Sequence, residues 1–299
     1  TIPITRLEGI THSAVSMRTG NSVFAGLGAI IDTSGDFDSV LNDRAFEFVS
    51  LGERGAEEAG GTRAAAMNQL RGALVDAARR YVRPDDGDAL SRSDARALTP
   101  VIAGKIPLII EADRASDILS ALSLKKTHKR LNIVILGGAE SWMVADAIKA
   151  ANASVLIDPS ESLPYSFAQI GTRLDTPSKL KAAGVRFAFI PRTSDFSHQV
   201  RLLPQHAGIA VSNGLPWDDA FKAITLTPAQ IYGRADLGTL KIGKTANLVV
   251  WDGDPLEVMS APVRVVIDGE RQAMESRQTA LASRYNPNNK DTRPHKYRR

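Results

Sequence analysis

The chain reads as an α/β protein built from repeated strand–helix units. Four short segments, residues 106–110, 132–136, 154–157 and 186–190, are continuously apolar. Helical patterns separate them, one starting near Ala115, one over 140–151 and one ending near Gly184. A strand buried on both faces needs continuous apolar composition, and strands alternating with helices imply a parallel sheet. The 299 residues are 43% hydrophobic, enough for a large core, and α/β barrels run to ~250 residues as one unit. An open doubly wound sheet and a (β/α)8 barrel both satisfy this rhythm.

The remaining elements follow from local pattern. Residues 9–16 and 22–31 predict two strands, and alternation over 45–51 predicts a third. Met67, Leu70, Leu74, Ala78 and Tyr81 recur at spacings of three and four, the face of a long helix. Polar residues 83–94, with Pro and Gly, predict a loop. All seven strands are expected to run parallel, leaving a gap beside the first that another chain, a preceding segment or the C-terminal part must close. After Pro204 the pattern predicts helices over 205–212, 216–225 and 228–232. Strands over 247–251 and 263–267 then suggest a small accessory β layer, followed by a helix over 274–284. The expected division is a barrel over 1–237, an accessory β-sandwich part over 238–273, and a C-terminal helix and basic tail over 274–299.

Net charge is +4, but residues 284–299 hold six basic side chains and one Asp, so the preceding body is nearly neutral. That distribution gives no nucleic-acid face. With no cysteine there is no disulfide, thiolate zinc site or Cys nucleophile, and cytoplasm and periplasm both remain open. No apolar run approaches the ~18 residues of a membrane span. The opening Thr1-Ile2-Pro3-Ile4-Thr5 suggests a processed or truncated product. The chain has neither GxGxxG after a strand nor GxxxxGK[ST], so nothing points to a nucleotide site.

Residues 214–256, GLPWDDAFKAITLTPAQIYGRADLGTLKIGKTANLVVWDGDPL, resemble the C-terminal signature of the amidohydrolase superfamily, its imidazolonepropionase-like branch in particular. The likeness extends to GITHSAVS, AGLGAIID, LGE with GGTR, and IPLIIEADRASDI. It implies a (β/α)8 TIM barrel of the metal-dependent hydrolase type, here missing its first strand, with a β-sandwich from both chain ends. It also implies a divalent metal, Zn, Mn or Mg in an active member, that activates water against a non-peptide or cyclic amide C–N bond at the strand C-termini.

Set against that family pattern, the ligand positions are changed. The HxH of the first strand is absent. Glu111 and Asp113 stand where two fifth-strand histidines are expected, Gly137 at the sixth-strand His, and Arg192 at the eighth-strand Asp, with Asp195 three residues on. Glu111 and Asp113 are candidates for oxygen ligands or an acid/base pair. Equally, Asp113 caps the helix from Ala115 while Glu111 pairs with Arg192. Arg192 grips an anion or neutralises Glu111, and in either role it repels a dication. Gly137-Gly138 reads as a close-approach turn rather than a phosphate cradle. Arg63 and His198 are candidate substrate contacts; His12 reads as a packed, hydrogen-bonded residue. No metal is therefore expected to bind stoichiometrically. The chain is either a hydrolase with little activity alone or a non-catalytic paralogue, partnered with a homologous amidohydrolase chain or with itself.

Overall fold

The computed structural model of the chain describes residues 2–79, 92–192 and 197–286. Asp195 and most of the loop expected over 83–94 lie outside the described residues, as do the His198 side chain and the tail beyond Asn286.

A short helix α1 (Ile2–Leu7) leads into β1 (His12–Val15), β2 (Phe24–Asp32) and β3 (Val40–Ser50). These three strands form an antiparallel meander, with His12 opposite Asp32 and Gly28 opposite Phe46. The expectation of seven parallel strands is thus corrected. Residues 16–23 and 33–39 are too short for the crossover a parallel neighbour requires, which takes about a dozen residues or more. A glycine-interrupted apolar run reads the same in either direction.

From β3 onward the chain alternates as expected. Helices α2 (Glu53–Glu58), α3 (Arg63–Arg79) and α4 (Arg92–Ile102) lead to β4 (Leu108–Ala112), and α5 (Ala115–Ser123) to β5 (Ile133–Gly137). Next come α6 (Ala145–Ala150), β6 (Ser154–Ile157), α7 (Thr176–Ala182) and β7 (Arg186–Phe189). The helix expected over 140–151 is split. Gly137 and Gly138 turn the chain out of β5 at φ +97° and +64°, and residues Ser141–Val144 form a 3-10 turn before α6 begins. The helical reading before Gly184 reduces to a 3-10 turn at Phe167–Gln169 and α7.

Strands β3 to β7 are parallel, and all seven strands follow sequence order without reversal. This is a curled α/β half-barrel rather than a doubly wound sheet. Its convex face carries Ile110, Ile133, Ile135, Val155 and Phe187 against the helices. The concave face is a smaller core of Ile30, Phe46, Ile109, Val134, Leu156 and Ala188. Alternate residues go to opposite faces because the pleat has period two.

Beyond β7, the chain forms α8 (Leu203–Ser212), α9 (Trp217–Ile224) and α10 (Leu226–Ile231). Helix α10 packs on β7, and Ile231 enters the concave core beside Ile30, with the Tyr232 ring 5.3 Å from Phe46. Burial and the nearby Arg234 lower the His12 pKa, so the segment after α10 reaches β1. The C-terminal part therefore covers the interval between β7 and β1.

The late strands β8 (Leu248–Trp251), β9 (Pro262–Ile267) and β10 (Glu270–Arg271) form a three-stranded antiparallel sheet. Helix α1 packs on β9, and Arg6 donates to Gln272 Oε1. Helix α11 (Arg277–Tyr285) closes the described chain, opened by a Ser276–Thr279 capping box and burying no residue. Among the described residues no helix is long and apolar enough to cross a membrane.

Candidate active site

The concave parity of the parallel strands carries the site. Ile109 belongs to the inner core, so Glu111 near the end of β4 and Asp113 just past it, two and four residues on, point inward. The same count from Leu156 brings Asp158 inward after β6, and from Ala188 and Ile190 brings Arg192 inward after β7. Ser50 does so at the end of β3 and donates to Glu111 Oε2 at 2.8 Å. Parallel strands gather these side chains at one end of the sheet.

Arg192 lies at the centre. Its Nη1 and Nη2 donate to Asp113 Oδ1 and Oδ2 at 2.6 and 2.7 Å, a bidentate fork. Nη2 is 3.5 Å from Glu111 Oε1, within the reach expected from sequence, and Nη1 is 3.8 Å from Glu161 Oε2. Asp113 also accepts from the Ala139 backbone N–H at 3.2 Å and from Gln169 Nε2 at 3.4 Å. The alternative in which Asp113 caps α5 is corrected: Glu140 Oε2 accepts from the Ala115 backbone N–H instead, because Arg192 and Ala139 turn the Asp113 carboxylate toward β5.

A second layer stands behind Arg192. Asp158, 3% exposed, accepts from the Arg192 backbone N–H at 2.7 Å and from both the backbone and hydroxyl of Ser160. His206 Nδ1 is 3.2 Å from Asp158 Oδ1, near enough for an ion pair but off the line of a good hydrogen bond. Burial alone would raise the Asp158 pKa, yet His206, Ser160 and the Arg192 amide hold it below the ordinary carboxylate value. Glu161 goes the other way: burial pushes its carboxyl up to about 7 against the pull of Arg192. A carboxyl balanced near neutrality beside a fixed cation can give or take a proton.

Sequence reasoning placed Glu111, Asp113 and Arg192 at this end, and they meet there. Arg63 does not join them. It donates to Asp117 Oδ2 at 3.1 Å and lies 3.7 Å from Glu53, lining a cleft with Met67, Asn68 and Ser120. Asp158, Glu161 and His206 were missed. Asp158 directly ends the apolar run 154–157, a position that strand-end chemistry favours, whereas nothing local marks Glu161 or His206. His12 is half-buried, with Nδ1 3.0 Å from Thr11 Oγ1, as a packed, hydrogen-bonded residue would be. Among the described residues no three or more His, Asp or Glu side chains are grouped to hold a metal.

Comparison with known proteins gives a consistent lineage. A model of the amidohydrolase family matches residues 197–272. An amidohydrolase of Hapsidospora irregularis is 48% identical over 60 residues, 20% of this chain and 6% of that protein. Imidazolonepropionase of Sphingopyxis alaskensis is 28% identical over 171 residues, 55% of this chain and 40% of that enzyme. The matches thus span less than half the length of either curated relative. The structure of an amidohydrolase from Thermotoga maritima MSB8 superposes with a TM-score of 0.79 at 22% identity, covering 90% of this chain and 73% of that one. The C-terminal match and these likenesses make the chain similar to amidohydrolase-superfamily proteins, imidazolonepropionase among them, and the half-barrel shares their fold.

Proposed function

We propose that the chain is an amidohydrolase-type protein whose metal site has degenerated, leaving little or no C–N hydrolysis by this chain alone. The observation that carries the reading is the Arg192–Asp113 fork at 2.6 and 2.7 Å. The superfamily's divalent metal does not fit this donor set. A guanidinium holds both oxygens of the buried Asp113 carboxylate and lies within 3.8 Å of Glu111 and Glu161, so a dication would meet a fixed positive charge. Position 137 offers no side chain, and the His206 Nδ1 faces Asp158. What remains is a closed electrostatic network with one proton-exchanging carboxyl, Glu161.

A second reading, a non-catalytic partner of an active homologous chain or of a second copy, draws support from one surface. Leu163, Tyr165, Phe167 and Ile170 are 75%, 81%, 85% and 65% exposed in the segment after β6, on the same side as the site. Apolar side chains gathered in this way mark contact surfaces.

The test is elemental analysis of the purified chain, with hydrolysis of cyclic and linear amides assayed with and without added Zn2+, Mn2+ or Mg2+. The expected result is far less than one equivalent of divalent metal and no metal-stimulated hydrolysis. About one equivalent, with activity lost in Glu111→Gln, would restore the metallohydrolase reading.

A further inference from the structure

We propose that the strand-end cluster is a guanidinium-binding site whose occupant is the chain's own Arg192, and that Gly137 is the residue that admits it. The inference deepens the degenerate-site reading above, since it rests on a guanidinium rather than a metal at the centre.

The geometry has the marks of a ligand seat. Both terminal nitrogens of Arg192 are taken by one carboxylate in the planar fork that only an amidinium or guanidinium matches. Glu111 and Glu161 flank it at 3.5 and 3.8 Å, on strand-end segments different from that of Arg192. The Arg192 side chain is 14% exposed, so this is an interior seat and not a surface ion pair.

Gly137 explains why the seat is open. It stands at φ +97°, and a Cβ there would fall 2.6 Å from Asp113 Oδ1 and 2.8 Å from both Cζ and Nη1 of Arg192. Any side chain at 137 would therefore occupy the space of the guanidinium. Asp158 completes the arrangement from behind by holding the Arg192 backbone N–H at 2.7 Å, which fixes where the side chain starts. The five residues act as one unit: Gly137 leaves the space, Asp158 fixes the arginine's backbone, and three carboxylates surround its head.

Such a seat should accept free guanidinium when its tenant is removed. Arg192→Ala leaves Asp113 buried and uncompensated, and a fall in Tm of roughly 6–12 °C is expected. Guanidinium or methylguanidinium at low millimolar concentration, far below denaturing levels, should recover about half of that fall, saturably. Urea, the neutral isostere, and ammonium should not. The wild type should show no saturable rise with any of them. A variant that responds to none would overturn the proposal while leaving the degenerate-site reading intact. A larger rise with Mn2+ than with guanidinium would overturn it in favour of a latent metal cage.

Should Arg192→Ala fail to fold, the wild type still decides the matter by NMR of its arginine side chains. The Arg192 head, assigned by Arg192→Lys, should show resolved Nη signals from slow rotation about Cζ–Nε. Fast averaging of that head would overturn the proposal.

Discussion

The seven-stranded sheet is two constructions joined along β3. On one side, β4 to β7 bury nearly every residue on both faces, from Leu108, Ile109 and Ile110 to Phe187, Ala188 and Phe189. On the other, β2 is half-buried over most of its nine residues, and β3 opens with five exposed positions, Val40 to Arg44. The difference follows from what covers each half. Crossover helices pack the parallel strands, while a meander has connections too short to carry any. The chemistry collects in the parallel half because only parallel strands deliver their C-terminal ends to one rim.

The largest test of that contrast is a pair of truncations. Ile135→Ala, at 0% exposure in the convex core, is expected to cost about 3–5 kcal/mol, whereas Leu27→Ala in β2 should cost about 1. Denaturant unfolding measures both, and equal losses would erase the distinction between the two halves.

The meander has one tightly packed point. The Phe46 ring lies over Gly28, its cross-strand partner, where a Cβ would overlap the ring itself. Gly28→Ala should therefore destabilise by about 1–3 kcal/mol, and Phe46→Leu in the same background should recover part of the loss. Simple additivity of the two changes would mean the ring moves aside freely.

The smallest expected effect compares buried carboxyls. Asp113 in the parallel half has Arg192; Glu47, on the convex side of β3 and 3% exposed, is pushed by burial up to about 7, with a Gly26 backbone donor opposing and Asp94 adding to the rise. Because folding raises this pKa, its contribution to stability is full below the ordinary Glu value and is lost as pH rises through about 7. Glu47→Gln should flatten the decline of stability above pH ~4.5 and leave the variant about 1–2 kcal/mol more stable at pH ~8. Glu161 carries a slope in the same window, so some decline persists. An unchanged profile would show that water reaches Glu47.

How legible all this was depends on the range of the interaction. Ser154 to Ile157 and the helix at Ala115 were read to the residue, since apolar runs and helix starts are local signals. Strand direction for β1 to β3 was misread: the expected interval 17–21 was already too short for a crossover, but the expected interval 32–44 was not, and β3 starts earlier, at Val40, than its alternating pattern indicated. The ends of β4 and β7 were found through the family register, which placed Glu111, Asp113 and Arg192. Glu161 and His206 reach the site only through the fold, one from a loop after β6 and one from α8, and their own neighbours in sequence give no hint of it.

The seam strand also sets an order of assembly. β3 pairs with β2 across residues 33–39 but with β4 only after residues 51–107 have been closed into a loop. Loop-closure entropy grows with that length, and local hairpins form in about 1–10 μs, ahead of distant pairings. The meander is thus expected to act as a pre-formed template on which β4 docks, with the strand-end carboxylates converging last. Measured φ-values higher at Ile30 than at Val155 would mark that sequence, and the reverse ranking would exclude it.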